Sequence, residues 1–592
     1  MNNRKFSILL GVVLVFSMLL ASCAPAAAPT TAPTTAPEAT TAPAPTTPPE
    51  ATATSAPEAT ATTAAPEATA TTAAPAFTPL KLEAPDCKYG GEVKSIEAPD
   101  AKTVKFTLCA SDAAFLAKVA FTSNEILPKA LLDATGGDSA KISEKPVGTG
   151  PYVLKEWVRG DHMTLEANPN YWGGAPTIKT LTIKWAKEPA QKLLELQSGN
   201  TDAIDAVGPD DIATVKGDAN LAYYPAPATN TLYLGMNNTV KPFDNEKVRQ
   251  AFAQAVDKQR IVDNFFPQGS SIAEQWVYPE LKPGYTDGLK WYTFDKVAAK
   301  KALTDAGFDF NQTILLSYRT AVRGYNPQPD KIAQDFQAQF AEIGVKIKLD
   351  VQESGTLLGN ASAGKLGLFM LGWGEDYPDA TDWYDTFFSP SLKSFGKTYD
   401  DLVASMQKAA QSADNAVRQK NYDDVNKFLM THVPMIPIAH GATGQAYKST
   451  VKNVIVGPYN LNFPQMTTDS GNLTFLQSAE PIQIWCGDET DGETHRACQQ
   501  LYEPLLAYKY GSTETIPALA TSYTANADLT EFTFTLRDGV KWSDGSAFTA
   551  ADVFATYTAM WDYKNPNHKG NTGTFDYWNG LFAAELNAPP AK

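Results

Sequence analysis

Histidine and cysteine are scarce, with five of each in 592 residues, and the scarcity narrows the chemistry. His162, His432, His440, His495 and His568 are scattered, none at a spacing that would place two on one metal ion. No metal or other cofactor is therefore expected. The motifs His-Glu-x-x-His, Gly-x-Ser-x-Gly and the phosphate-cradling P-loop are missing, which removes the usual signatures of metalloprotease, hydrolase and nucleotide chemistry. The expectation is a binding protein, not an enzyme. Positive charge is in deficit: 49 Lys and Arg against 65 Asp and Glu leave a net charge of -16. A nucleic-acid surface needs a basic field, so nucleic acid is excluded as a partner. Long apolar runs are also lacking apart from Phe6–Leu20, which is shorter than the roughly 20 residues of a membrane-spanning helix.

That run follows the basic Asn2-Asn-Arg-Lys5 and precedes Leu20-Ala-Ser-Cys23. The pattern is that of a signal peptide, 1–22, and the last four residues look like a bacterial lipobox. Cys23 is the expected lipidation site, placing the protein outside the cytoplasm and on the bacterial membrane through an N-terminal lipid. Residues 23–79 are almost entirely Ala, Thr, Pro and Glu. They hold too little apolar surface to offset the entropy of ordering them and read as a disordered, partly extended tether. The remaining cysteines, Cys87, Cys109, Cys486 and Cys498, belong to an exported chain in which disulfides persist. Four cysteines allow three pairings. Short loop closure favours Cys87 with Cys109 and Cys486 with Cys498, although spacing does not derive the connectivity.

Local patterning is α/β. Val248, Phe252 and Ala255 share one face of a helix over 244–256, behind an acidic first turn. Ile332, Phe336, Phe340 and Ile343 do the same over 330–343, with Gly344 as the stop, and Val345, Ile347, Leu349 and Val351 then alternate as a strand. Near the C-terminal end, Phe532, Phe534 and Leu536 alternate as a strand, and Thr549-Ala-Ala-Asp552 reads as a capping box for a helix carrying Phe554, Tyr557 and Trp561. A polar, turn-rich stretch follows, without a sheet to complete that domain.

Gly148-Thr-Gly-Pro-Tyr152, Asn168-Pro-Asn-Tyr-Trp-Gly173 and Gly372-Trp-Gly-Glu-Asp-Tyr377 resemble successive blocks of the family 5 extracytoplasmic solute-binding proteins, the peptide/nickel class that serves ABC importers. Gly471–Pro481, Leu501-Tyr-Glu-Pro-Leu505, Ile516-Pro-Ala-Leu-Ala520 and Thr533–Val540 resemble the blocks with which that family begins, yet here they come last. Residues 90–108 resemble the strand pair that normally follows them. The chain therefore looks circularly permuted, with Thr467–Gly471 as a joining linker and residues near 85 and 590 expected to be neighbours; two truncated tandem copies are the competing arrangement. The resemblance implies a two-lobed periplasmic-binding-protein-like clamshell of α/β class with an extra subdomain. The first lobe would be 80–235 plus 440–592 and the second 236–439, with hinge strands at Asn230–Asn237 and Ile436–His440.

The same resemblance implies capture of an oligopeptide by a monomer and its delivery to ABC permease subunits. Its ammonium-binding aspartate falls on Asp376, beside Trp373, Tyr377 and Trp383. Glu375, Asp379 and Asp382 are expected to be loop acids making turns. Arg319 and Arg323 are candidates for a ligand carboxylate, and Trp373, Trp383 and Trp485 for the cleft wall. Trp485 stands where the family block carries a polar or aliphatic residue, and tryptophans stacked on sugar rings would make an oligosaccharide the ligand instead. A rearranged, non-transporting surface lipoprotein is the remaining alternative.

Overall fold

The computed structural model describes residues 77–389 and 392–589. The expected signal peptide, Cys23 and nearly all of the tether lie outside the described residues. Three large sheets and a two-stranded ribbon organise the body.

The alternation at Phe532, Phe534 and Leu536 forms the strand Glu531–Leu536, with those three side chains buried. It joins an antiparallel sheet in the order Leu80–Glu83, Val93–Asp100, Thr103–Leu108, Glu531–Leu536, Ala520–Ala525. Phe532 stands opposite Phe106 and Phe534 opposite Val104, so strands from the two ends of the body share one register. The helix Ala550–Trp561 starts at the expected capping box of Thr549 and Asp552 and packs on Val93–Asp100. Phe106 lies 4.9 Å from Tyr557 and Phe115 stacks at 4.4 Å on Phe532; each such buried ring contributes about 1.5–3 kcal/mol. The closing segment also bonds to the opening one: the Glu92 amide donates to the Phe582 carbonyl at 2.9 Å, and Trp561 Nε1 to the Tyr89 hydroxyl at 3.2 Å. Disulfides join Cys87 to Cys109 and Cys486 to Cys498.

A seven-stranded sheet runs Tyr152–Val158, His162–Ala167, Thr180–Trp185, Asn472–Gln477, Ala203–Ile204, Thr443–Lys448, Leu221–Ala226. Asn472–Gln477 lies parallel between Thr180–Trp185 and Ala203–Ile204, a central position for a strand from the last quarter of the chain. The preceding Thr467–Gly471 is a turn whose Gly471, at φ 71°, offers its carbonyl to the Lys179 amide at 2.6 Å. The six-stranded sheet of the other lobe runs Ser271–Ile272, Met435–His440, Asn230–Met236, Leu368–Gly374, Thr313–Tyr318, Lys346–Val351.

The chain passes between these two sheets twice, between Ala226 and Asn230 and between His440 and Thr443. The sequence boundary at 235/236 sits at the far end of Asn230–Met236; every residue of that strand is buried in the six-stranded sheet, so the crossover precedes it. Helix ends shift likewise. Asn245 caps a helix over Glu246–Ala255, because cap geometry and not apolar period sets where a helix begins, and the helix expected over 330–343 spans Pro329–Glu342 with a proline in its first turn. The stretch after Trp561 contains a short helix, Asp576–Phe582, that buries Trp578, Leu581 and Phe582.

Candidate ligand cleft

A cavity of about 470 Å³ lies between the lobes, within the roughly 300–1,000 Å³ range of ligand pockets. Its most informative wall is the loop after Leu368–Gly374. That strand runs antiparallel to Asn230–Met236, with Gly374 opposite Asn230, so the residues that follow emerge at the crossover. Gly372 is required there, since a Cβ would meet the Tyr325 ring at 2.2 Å. Tyr325 is thereby free to line the cavity.

The loop acids divide into supports and cavity groups. Asp382 accepts the Asp376 amide at 3.0 Å and Trp373 Nε1 at 3.2 Å. Asp379 caps the helix Ala380–Phe388 and accepts Arg418 Nη2 at 2.7 Å on each oxygen. Both therefore hold the loop, Asp379 as the helix cap and Asp382 from within that helix instead of from a turn. Glu375 departs from the expected turn-making role: it is buried, lines the cavity, and accepts Tyr278 Oη at 2.9 Å, Trp383 Nε1 at 3.3 Å and Tyr459 Oη. Burial pushes its carboxyl up to about 8, so at neutral pH it is largely protonated.

Asp376 lines the same cavity, half-buried, with Oδ1 accepting the Tyr577 hydroxyl at 3.1 Å. Among the described residues it forms no ion pair, and loss of solvent pushes its carboxyl up to about 7. Tyr459 and Tyr577 belong to the first lobe. The adjacent carboxylates of the second lobe are thus each met across the cleft by a tyrosine hydroxyl, a closed arrangement.

The other expected site residues separate sharply. Arg323 is exposed at the cavity wall. Arg319 donates to Tyr325 Oη at 2.8 Å and reaches the cavity only through that ring. Trp383 and Trp485 are fully buried and Tyr377 nearly so, which corrects their assignment to the cleft. Trp383 packs edge-on against Trp276 at 5.6 Å and Trp485 against Phe575 at 5.2 Å, so no face of either ring is left for a ligand. The Tyr377 hydroxyl is taken by Thr381. Trp373 is half-buried against Phe387 and off the cavity. His440, at the crossover, donates Nδ1 to the Asn230 carbonyl at 2.8 Å; burial lowers it to about 4, so it is a neutral tie between the two crossing strands.

Sequence reasoning missed Tyr459, Tyr577, His495, Arg496 and Gln499, all at the cavity. Arg496 is held by Gln477 at 2.8 Å and Asp205 at 3.4 Å, and His495 by the Glu489 carbonyl at 2.9 Å. His495 and Gln500 are buried in the helix Gly492–Leu501 although both are polar, so apolar periodicity gave no signal for this face.

The family model described as bacterial extracellular solute-binding proteins, family 5 Middle, matches residues 46–395 and 514–585. The dipeptide-binding protein of Escherichia coli (strain K12) is 30% identical over 376 residues, covering 62% of this chain and 70% of that protein. Among solved structures, the dipeptide-binding protein from Pseudoalteromonas sp. SM9913 in complex with Met-Leu has a TM-score of 0.55 at 24% identity, over 62% of this chain and 74% of that one. The ABC transporter-associated periplasmic binding protein DppA from Helicobacter pylori in complex with the peptide STSA has a TM-score of 0.57 at 22% identity, over 64% and 74%. These two likenesses carry the fold. With the matched blocks covering most of the two-lobed body, the chain belongs to the family 5 bacterial extracellular solute-binding proteins.

Proposed function

We propose that this protein is a lipid-anchored extracytoplasmic substrate-binding protein that captures oligopeptides and delivers them to an ABC importer. One observation carries the peptide reading: Asp376 faces the cavity with no cationic partner among the described residues. A peptide α-ammonium would supply that charge, and a charge-assisted bond in a desolvated cleft is among the stronger polar contacts available. Arg323, exposed on the cavity wall, is the group we assign to a ligand carboxylate. The relative named for dipeptides supports the same class. The oligosaccharide alternative loses its main support, because Trp383 and Trp485 lie in the core and Trp373 is off the cavity.

The permuted chain order is part of this proposal. It is supported by the shared sheet of Thr103–Leu108 and Glu531–Leu536, by the Glu92–Phe582 bond, and by a family match in two separate blocks. Lobes of 80–235 plus 440–592 and of 236–439, refined to the crossovers at 227–229 and 441–442, and a tether ending near residue 79 complete it. In this scheme the ligand bridges the lobes, closure is favoured by differential affinity for the closed state, and the closed form docks on permease subunits.

Thermal unfolding with a short-peptide set and with cello- and manno-oligosaccharides tests the reading. A ligand that binds only the folded state raises the melting temperature. Peptides should do so; stabilisation by the sugars alone refutes the assignment. Peptide capture without peptide uptake in a cell carrying this chain would favour the non-transporting lipoprotein.

A further inference from the structure

A second cavity of about 180 Å³ shares Thr122, Asn460, Leu461 and Gln499 with the main cleft and so adjoins it. Its chemistry is distinctive. Two carboxyls, Glu125 and Glu503, face it between the rings of Tyr171, Trp172, Tyr508 and Tyr510. Glu503 accepts Trp172 Nε1 at 2.7 Å. Glu125 is 4% exposed, and its Oε2 is buried without a hydrogen-bond partner. The other side of Glu125 meets the Cys486–Cys498 disulfide, which offers it nothing to bond. Neither carboxyl forms an ion pair among the described residues.

A buried carboxyl without a partner is costly, and the pocket is lined by aromatic residues, a residue type whose ring faces attract cations. The wall already shows this behaviour, since Arg537 lies 3.9 Å over Trp172. We infer that this side pocket is a subsite for the cationic side chain of a lysine or arginine in the bound peptide, with Glu125 and Glu503 as its charge partners. The inference rests on the peptide-capture reading and narrows its ligand class. A lysine suits the shape, its four-carbon stem passing the aromatic walls while the ammonium reaches the carboxyls.

Protonation supplies an independent signature. Burial and the neighbouring Glu503 hold the Glu125 carboxyl well above its ordinary range, and burial raises Glu503 to about 7. Arg537 lowers Glu503 in part, while Tyr171 and Tyr502 beside the two acids stay neutral because burial raises their hydroxyls further. An entering cation therefore displaces a proton from the acid pair.

The test compares Lys-Ala-Ala, Ala-Lys-Ala and Ala-Ala-Lys with the same tripeptides carrying norleucine, which keeps the stem and lacks the charge. Isothermal titration of the full chain should show a preference of about tenfold or more for lysine at one position. At that position, titrations in phosphate and in Tris should differ by the ionisation heat of a released proton, which norleucine does not release. In Glu125→Gln the lysine-to-norleucine ratio should fall toward one. Equal binding of both series, a ratio that survives Glu125→Gln, or no proton release by the wild type overturns the inference while leaving peptide capture standing. If none of the six peptides binds, the capture reading fails and the subsite falls with it.

Discussion

Replacing Asp376 with asparagine should separate ligand recognition from lobe closure. In the closed form the carboxyl rises from its ordinary 3.8 to about 7 through loss of solvent. That is about three pH units, and at 1.36 kcal/mol per unit the loss of solvent opposes an ionised Asp376 by about 4 kcal/mol at most, the share due to the facing tyrosine side opposing empty closure. Solvent entering the half-buried site reduces this figure. The sign follows from the raised value. Closure keeps its full stability below the open-form value near 4, loses it as pH rises through 7, and carries the full penalty above that. A ligand ammonium removes the penalty, which makes closure ligand-dependent at neutral pH. Asp376→Asn has no charge to desolvate, so the empty variant should be more closed at pH 7.5, seen as a smaller radius of gyration by X-ray scattering. It should also lose a charge-assisted bond of about 1.5–3 kcal/mol, or roughly ten- to hundredfold in peptide affinity. Unchanged peptide affinity together with an unchanged radius would refute the role given to this carboxylate.

Tyr459→Phe removes the hydroxyl that meets Glu375 across the cleft and should weaken closure by about 1 kcal/mol; lobe-to-lobe fluorescence transfer in the liganded protein measures it. Phe532→Ala deletes a ring buried between Phe106 and Phe115 and should cost about 3–5 kcal/mol in denaturant unfolding, whereas independent folding of the two chain ends would leave residues 80–108 unaffected. Replacing both Cys486 and Cys498 by serine opens a loop of sequence separation 12, for which chain entropy gives about 3 kcal/mol of lost stability. A chain rearranged to begin at Gly471 and to run from Pro589 through a flexible linker into Phe77 should fold and bind peptides as the parent does, because residues 89–92 and 561–582 of the two end segments are held together by the Glu92–Phe582 and Tyr89–Trp561 contacts. Failure to fold would count against the permuted reading.

Much of the fold was legible because local rules and tertiary packing agree. The alternation of Phe532, Phe534 and Leu536 and the capping box at Thr549 each satisfy a periodicity that the observed sheet and helix also need. The block order on which the proposed permutation rests comes from local patterns, since each block keeps its own pattern wherever a chain is cut. The acid-rich loop at 374–382 was identifiable as a region. Residue type alone could not say which of its acids turns inward, because Glu375, Asp379 and Asp382 are all buried, yet Asp379 is bonded to a helix terminus and an arginine while Glu375 meets three aromatic side chains.

The tryptophans show the limit most clearly. Trp383 and Trp485 carry the same chemistry in a core as in a cleft, and only the positions of Trp276 and Phe575 decide that both rings are enclosed. Motif blocks, through their resemblance to known proteins, pointed to the family and to Asp376 as a candidate, and apolar periodicity by itself determined the α/β class. Tertiary structure alone decided that Tyr459 and Tyr577 reach the carboxylates from the facing lobe, that Glu125 is left without a partner, and where the chain crosses between lobes. Those facts depend on contacts between residues up to several hundred positions apart, and the energy that selects them belongs to pairs brought together by folding and to no single stretch of chain.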